Sequence, residues 1–396
     1  MRPPIKQIAT GIDVGAHSTR VVIMEQNKGG VPRVIGTGIS ETFGLRHGYV
    51  VGREDAMKSI KSAIVDAEKI AGIKVKNVLL SIGGVSLESV ISHGSTTISR
   101  VSGEVTGQDL KKIEEEAGEN LTHIANKKII YRTPLRYKLD NKEVLGSPCG
   151  MIGNKLEVKM FFATCLLHHL NDIVNIIEDL GIEVYEVVPS PIAAGQIALT
   201  KKQRIVGSAL VNIGAETVSI AVFENDMPSS LQVFQLGSTD ITNDIAIGLK
   251  IPLEEAERMK IESGGNAHIK EKRSRTRSKN KLDEIIEARL CDIFELVESH
   301  LKKIGRKGLL PAGVILTGGG SGIATIEDTA KAVLNLPSSV ARPVLLSANK
   351  HSVKDSLWLV AYGLCLYGFH KPKEPNNTNI DDIIEAFKGW MKPFLP

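Results

Sequence analysis

The sequence predicts an α/β fold made of two related halves. Three observations carry that prediction: an ungapped internal repeat, an alternation of strand and helix signals, and three glycine-bearing turns at strand ends. The repeat is the strongest. Residues 11–25 read GIDVGAHSTRVVIME and residues 210–224 read LVNIGAETVSIAVFE. Asp13 aligns with Asn212, Gly15 with Gly214, Ala16 with Ala215 and Glu25 with Glu224. Each copy is a β-branched strand, a turn containing glycine and a second β-branched strand, the pattern of a hairpin. A repeat at this spacing means that each half opens with the same supersecondary unit. The length of 396 residues agrees, because one hydrophobic core rarely organises so long a chain.

The remaining elements come in order along the chain. Residues 54–71 place Ala56, Ile60, Ala63, Ile64 and Ala67 on one helical stripe, and Val78–Ile82 reads as a strand. Thr106 caps a charged helix over 105–118. Leu156–Thr164 alternates as a strand, Leu166–Leu180 is a helix closed by Gly181, and Val184–Val188 is a strand. Pro191 opens a helix to Leu199. Helices are expected at Thr239–Leu249, Leu253–Ser263 and Leu282–Ile304, then a strand at Gly313–Thr317. Leu357–Phe369 is apolar on every side but too short to span a bilayer, so it reads as a buried helix.

Composition narrows the function. Aromatic residues make up only 4%, so aliphatic side chains must fill the cores. A net charge of +4 gives no footprint for nucleic acid, and no nucleic-acid partner is expected. The four cysteines are far apart and form no C-x-x-C pair, which argues for free buried thiols rather than a disulfide framework or a zinc site. His168–His169 reads as a surface or helix-start pair rather than a metal site. Met1 to Gln7 carries two prolines and leads into a strand, so a cytoplasmic chain without a signal peptide is expected.

Chemistry concentrates in three turns: Asp13-Val14-Gly15-Ala16-His17-Ser18, Asn212-Ile213-Gly214-Ala215-Glu216-Thr217, and Leu316-Thr317-Gly318-Gly319-Gly320-Ser321. Glycine turns present backbone N–H groups and let a polyphosphate approach closely. Two hairpins can clamp it from either side, and the third turn, between a strand and a helix, suits a phosphate or ribose. Asp13 is placed to hold Mg²⁺ through water. There is neither a Walker A motif nor a dinucleotide fingerprint.

As an ordered set, these turns resemble the two phosphate motifs and the adenosine motif of the actin, Hsp70 and sugar-kinase superfamily. Within it the chain is similar to the FtsA family nearly end to end. SIGGVSLESVISHGSTTIS resembles the opening of the extra subdomain 1C, and SPCGMIGNKLEVKMFFAT its close. STDITNDIAIGLKIPLEEAERMK resembles the stretch leading into subdomain 2B, and LTGGGSGIATIEDTAKAVLNLP with Arg342-Pro343 the adenosine region. The resemblance implies an actin/Hsp70-like duplicated two-domain fold with a nucleotide cleft. Residues 1–82 and 166–205 would form subdomain 1A, 83–165 subdomain 1C, and 206–370 subdomains 2A and 2B. It implies ATP and Mg²⁺ as ligands, and places Glu257 and Lys260, one helical turn apart, beside the adenosine. It also implies an actin-like polymer that tethers the tubulin-like protein FtsZ to the inner face of the cell membrane at the division site. A related alternative is a PilM-like pilus assembly protein. The chain departs from the family where Asp is usual and Asn212 stands, and where Glu-Pro is usual and Ser190-Pro191 stands. ATP binding survives such losses better than hydrolysis does, so weak turnover is expected, with Asn212 and Glu216 as the catalytic candidates.

Two segments lie outside the core pattern. Lys270–Lys281 is a basic run that reads as a solvated loop. By the resemblance it sits in subdomain 2B, where Arg289 is the candidate contact for the C-terminal peptide of FtsZ. After a polar linker at 371–379, residues 380–396 form an amphipathic stretch. Ile383, Ile384, Phe387, Trp390 and Met391 supply the apolar face, with Lys388 and Lys392 between them. That pattern suits a helix lying on an anionic membrane surface.

Overall fold

The computed structural model describes residues 6–27, 30–122, 124–265, 277–342 and 356–370. The linker at 371–379, the amphipathic stretch at 380–396, Pro343 and residues 270–276 of the basic run lie outside the described residues.

The first half begins with β1 (Lys6–Val14), β2 (Ser18–Asn27) and β3 (Arg33–Glu41), an antiparallel meander. A small hairpin, β4 (Leu45–Arg46) and β5 (Tyr49–Val50), precedes α1 (Arg53–Ala71). The stripe Ala56, Ile60, Ala63, Ile64 and Ala67 is buried against the sheet, and Gly72 ends the helix in the left-handed region at φ 69°. β6 (Asn77–Ile82) then pairs parallel with β1.

An inserted unit comes next: β7 (Glu88–Thr97), α2 (Gly107–Glu119), β8 (Lys127–Leu139), β9 (Lys142–Val144) and β10 (Lys155–Leu166). Its own core is built on Ile113, Leu156, Met160 and Phe162. Thr106 caps α2 with a capping box through Asp109, as its position before the apolar stripe implies. The chain returns through α3 (Leu167–Asp179), β11 (Glu183–Pro189), α4 (Ser190–Ala198) and α5 (Lys201–Val206).

The second half repeats the first. β12 (Ser208–Ile213), β13 (Val218–Glu224) and β14 (Met227–Phe234) form a meander, and β15 (Val314–Thr317) pairs parallel with β12. Between them come α6 (Ser238–Leu249), α7 (Leu253–Gly265) and α8 (Arg277–Lys303). After β15 come α9 (Ile326–Leu334) and β16 (Ser338–Val340). The order β11-β6-β1-β2-β3 in the first sheet is matched by β16-β15-β12-β13-β14 in the second. The inserted strands prolong the second sheet as β7-β10-β8-β9, joined to β14 at the pair Gln232–Glu88.

α10 (Leu359–His370) crosses back to pack on β1 and α4, with Leu359, Ala361, Leu364 and Cys365 buried. No helix among the described residues is long and apolar enough to cross a membrane. Two sequence expectations need correction. α8 starts at Arg277, so Arg277–Lys281 belongs to a helix rather than to a solvated loop. Lys and Arg are good helix formers, and the apolar stripe of α8 behind them propagates the helix back into the basic run. The four thiols are free as expected, but only Cys165 and Cys365 are buried, while Cys149 is exposed.

Candidate nucleotide cleft

The repeat is preserved to the level of register. In the first hairpin Asp13 pairs with Arg20 and Val14 with Thr19; in the second Asn212 pairs with Ser219 and Ile213 with Val218. Each turn closes with the same bond. The N–H of Gly15 donates to the carbonyl of Ser18 at 3.2 Å, and that of Gly214 to Thr217 at 2.9 Å. The two turns face each other across a cavity of about 860 Å³. Its lining includes Asp13, Gly15, Ala16, His17 and Ser18 from the first turn, and Asn212, Gly214, Ala215, Glu216 and Thr217 from the second. Glu257, Lys260, Thr317, Gly318, Gly319 and Ser190 also line it.

The backbone around the second turn is tied down from behind. The N–H groups of Ser238 and Thr239, at the start of α6, donate to the carbonyls of Gly214 and Ala215 at 2.9 and 2.8 Å. Gly318 must be glycine: its φ is +87°, and a Cβ there would lie 2.2 Å from Asn212 Oδ1. The third turn thereby packs directly on the second hairpin. Gly320 does not join the cavity lining; it lies against Ile213, whose Cγ2 a Cβ would meet at 2.4 Å. Its lack of a side chain serves packing between the turn and β12.

Charges in the cleft are distinctly placed. Burial raises the Asp13 carboxyl above the usual range, only partly offset by the hydrogen bond from Ser81 Oγ at 2.7 Å and by the charge of Arg20. Ser18 Oγ is buried in the first turn with no hydrogen-bond partner. Lys260 is 8% exposed and donates to Glu257 at 2.7 Å, Thr242 Oγ1 at 2.8 Å and the Ser238 carbonyl at 3.0 Å. Burial works against the Glu257 charge, but the hydrogen bonds from Lys260 and Thr242 outweigh it and hold that carboxyl below its ordinary range. Glu216 is engaged across the cleft, where its Oε2 accepts from the N–H of His47 at 2.5 Å. Among the described residues no group of three or more His, Cys, Asp or Glu side chains could hold a metal ion.

These features fit a Mg²⁺-nucleotide. An unpartnered buried hydroxyl at a glycine turn suits a phosphate oxygen, and a desolvated carboxylate suits a hydrated cation. Arg289 lies away from this cavity. It clamps α8 to α6 through Asp244 at 2.6 and 3.0 Å, and reaches Asp292 at 3.2 Å. Sequence reasoning missed Ser81, His47 and His169, all in the lining or bonded to it. No local pattern marks them, since their partners are 68 to 169 residues away.

Comparison with known proteins agrees with this architecture. A model of the cell division protein FtsA matches residues 209–363, and a model of the SHS2 domain inserted in FtsA matches residues 84–164. Together they take in more than half of the sequence. The chain belongs to the FtsA family. It is 27% identical to the cell division protein FtsA of Pseudomonas aeruginosa, covering 98% of both chains. It is 28% identical to that of Bacillus subtilis, covering 90% of this chain and 82% of the relative. Among solved structures, a PilM–PilN type IV pilus biogenesis complex aligns with TM-score 0.67 at 18% identity, covering 94% of this chain and all of the other. MreB5 of Spiroplasma citri bound to AMPPNP aligns with TM-score 0.53 at 12% identity, over 98% of this chain and all of that one. These likenesses show the actin-like fold, and the FtsA relatives make this an actin-like cell-division family member.

Proposed function

We propose that this FtsA-family chain binds Mg-ATP between its two hairpin turns, self-associates into an actin-like protofilament, and tethers FtsZ filaments to the inner face of the cytoplasmic membrane at the division site. The observation that carries the nucleotide part is the pair of matching turns facing one cavity, with Ser18 Oγ buried and unpartnered beside Asp13. The amides of both turns cradle the phosphates, Gly318 and Gly319 take the nucleoside side, and Glu257 with Lys260 binds the ribose. Mg²⁺ would supply charge neutralisation on the phosphates, and Asp13 would hold it. Asn212 is neutral and the Glu216 carboxylate is already bonded to His47, which leaves a poor base near the phosphates and supports slow hydrolysis.

The membrane role rests on residues 380–396. Each buried large apolar side chain contributes about 1.5–3 kcal/mol gross and each lysine about 1 kcal/mol at an anionic surface. Ordering the helix offsets much of this, so single copies bind weakly and a polymer anchors by avidity. The full chain is expected to co-sediment with anionic vesicles, and deletion of 380–396 to abolish it. Unchanged sedimentation of Trp390→Glu would place the tether elsewhere.

The FtsZ role is tested with a peptide of the FtsZ C-terminus. Arg289 serves as its contact only at the expense of the pair with Asp244. Calorimetry should show binding that weakens as salt rises. No binding at low salt would favour the second reading, a PilM-like pilus adaptor, which the 0.67 TM-score to the PilM–PilN complex makes the main rival.

A further inference from the structure

One set of contacts joins the two halves and the inserted unit at the mouth of the cleft. The β4–β5 hairpin belongs to the first half, yet its connecting residue reaches the second turn. The N–H of His47 donates to Glu216 Oε2 at 2.5 Å, and His47 Nδ1–H donates to the Glu216 carbonyl at 3.1 Å. Two contacts to one residue fix both its backbone and its carboxylate. Behind the hairpin, His169 at the start of α3 is 1% exposed. Its Nε2–H donates to the Gly48 carbonyl at 2.6 Å, and its Nδ1 meets Ser86 Oγ at 2.6 Å. A carbonyl can only accept, so Nε2 carries a proton, and in the neutral ring Nδ1 then accepts from Ser86. Burial lowers the imidazole's proton affinity and agrees with this neutral form. Tyr49 stacks on the same ring at 4.6 Å. Ser86 lies in the segment between β6 and β7, at the start of the inserted unit, and Val85 there donates to the His47 carbonyl at 3.3 Å. Gly48 and Gly84 touch through their backbones, since a Cβ on Gly48 would sit 2.5 Å from the Gly84 Cα.

We propose that the β4–β5 hairpin is a latch between the second phosphate turn and the inserted unit, with Glu216 as its catch and His169 as its positioning residue. A ligand that shifts the second turn moves the Glu216 carbonyl and carboxylate, and the hairpin carries that shift to Ser86 and Val85. The state of the cleft is thereby read out at the root of the inserted unit. The group is held at both ends by short hydrogen bonds, and the glycine contact between Gly48 and Gly84 leaves no soft side chain to absorb the motion. The coupling rests on the nucleotide reading above; the latch itself does not.

The test is amide hydrogen exchange on the full chain, first without nucleotide and then with Mg-AMPPNP, alongside thermal melts. Without nucleotide, Glu216→Ala should speed exchange of residues 45–50 by about tenfold, the worth of one charge-assisted hydrogen bond. His169→Phe keeps an aromatic ring but removes its hydrogen bonds to Gly48 and Ser86, and should do the same. Ser86→Ala should give a smaller rise, about threefold. In the wild type, Mg-AMPPNP should slow exchange in both 45–50 and 84–87, whereas in Glu216→Ala the response at 84–87 should vanish while Mg-AMPPNP still raises the melting temperature. Wild-type exchange at 45–50 in Glu216→Ala would overturn the latch. An undiminished response at 84–87 in that variant would overturn the coupling. Failure of the wild type to bind Mg-AMPPNP would instead overturn the nucleotide reading, with the nucleotide-free comparison still deciding the latch.

Discussion

The two hairpin turns share a backbone and differ in chemistry. Both close with a glycine N–H donating to a carbonyl three residues on, and both hold the same register. The first ends on Asp13, a desolvated carboxylate bonded to Ser81; the second ends on Asn212, which is neutral and packed by Gly318. The first turn buries an unpartnered Ser18 hydroxyl, whereas the second sends Glu216 across to His47. The repeat thus keeps the glycine turn, which is a matter of backbone, and lets the charges diverge, which is a matter of side chains. In the proposed function the first turn holds metal and phosphate, and the second reports on them.

The largest expected effect tests whether the second turn depends on its packing against the third. Gly318→Ala puts a Cβ 2.2 Å from Asn212 Oδ1 and 2.4 Å from the Ile213 carbonyl, at a φ that side chains rarely adopt. Strain and overpacking together should cost about 3 kcal/mol or more. Urea unfolding should show this, together with loss of nucleotide binding. A variant as stable as the wild type would mean that the two turns are not packed as described.

The next effect probes the back of the second sheet, where the halves also differ. His300 on α8 is 8% exposed, its Nε2 lies 2.9 Å from Ser230 Oγ on β14, and burial pushes its pKa down to about 4. An unfolded histidine titrates near 6.5. Between those values the unfolded chain takes up a proton that the folded chain refuses, so stability is present above about pH 6.5 and falls as pH drops toward 4. The loss from this group should reach about 2–3 kcal/mol. The check is the difference in unfolding free energy between pH 7 and 4.5 for the wild type and for His300→Gln. Equal pH slopes would rule the group out.

The smallest effect makes the two hairpins alike again. Asn212→Asp restores a carboxylate opposite Asp13 and should raise phosphate release about tenfold, or roughly 1.4 kcal/mol in barrier. Glu216→Gln should leave the slow wild-type rate nearly unchanged, because its carboxylate is held by His47. Brisk wild-type hydrolysis stopped by Glu216→Gln would show that Glu216 has replaced the missing carboxylate.

Local signals are legible in the sequence. β-branched runs around a glycine turn mark both hairpins, the spacing of Ala56, Ile60, Ala63 and Ile64 marks α1, and Thr106 marks the start of α2. These succeed because strand and helix periods are written in consecutive residues. The end of the basic run is not legible in this way. Arg277–Lys281 carry no apolar period of their own and take their helix from the apolar stripe that begins at Leu282. Gly320 reads as a ligand contact because motif spacing does not show on which side of a turn a glycine is needed, and its neighbour Ile213 is more than a hundred residues away.

By itself, then, the sequence determined the duplicated hairpins, their glycine turns and the family to which they point. Tertiary structure alone decided that the inserted strands extend the second sheet through Gln232 and Glu88, that Ser81 reaches Asp13, and that His47 takes the Glu216 carboxylate. The physical reason is one of range. Backbone period and turn chemistry act over a few residues, whereas a hydrogen bond between residues 169 positions apart exists only once the fold has brought the β4–β5 hairpin and the second turn within about 3 Å.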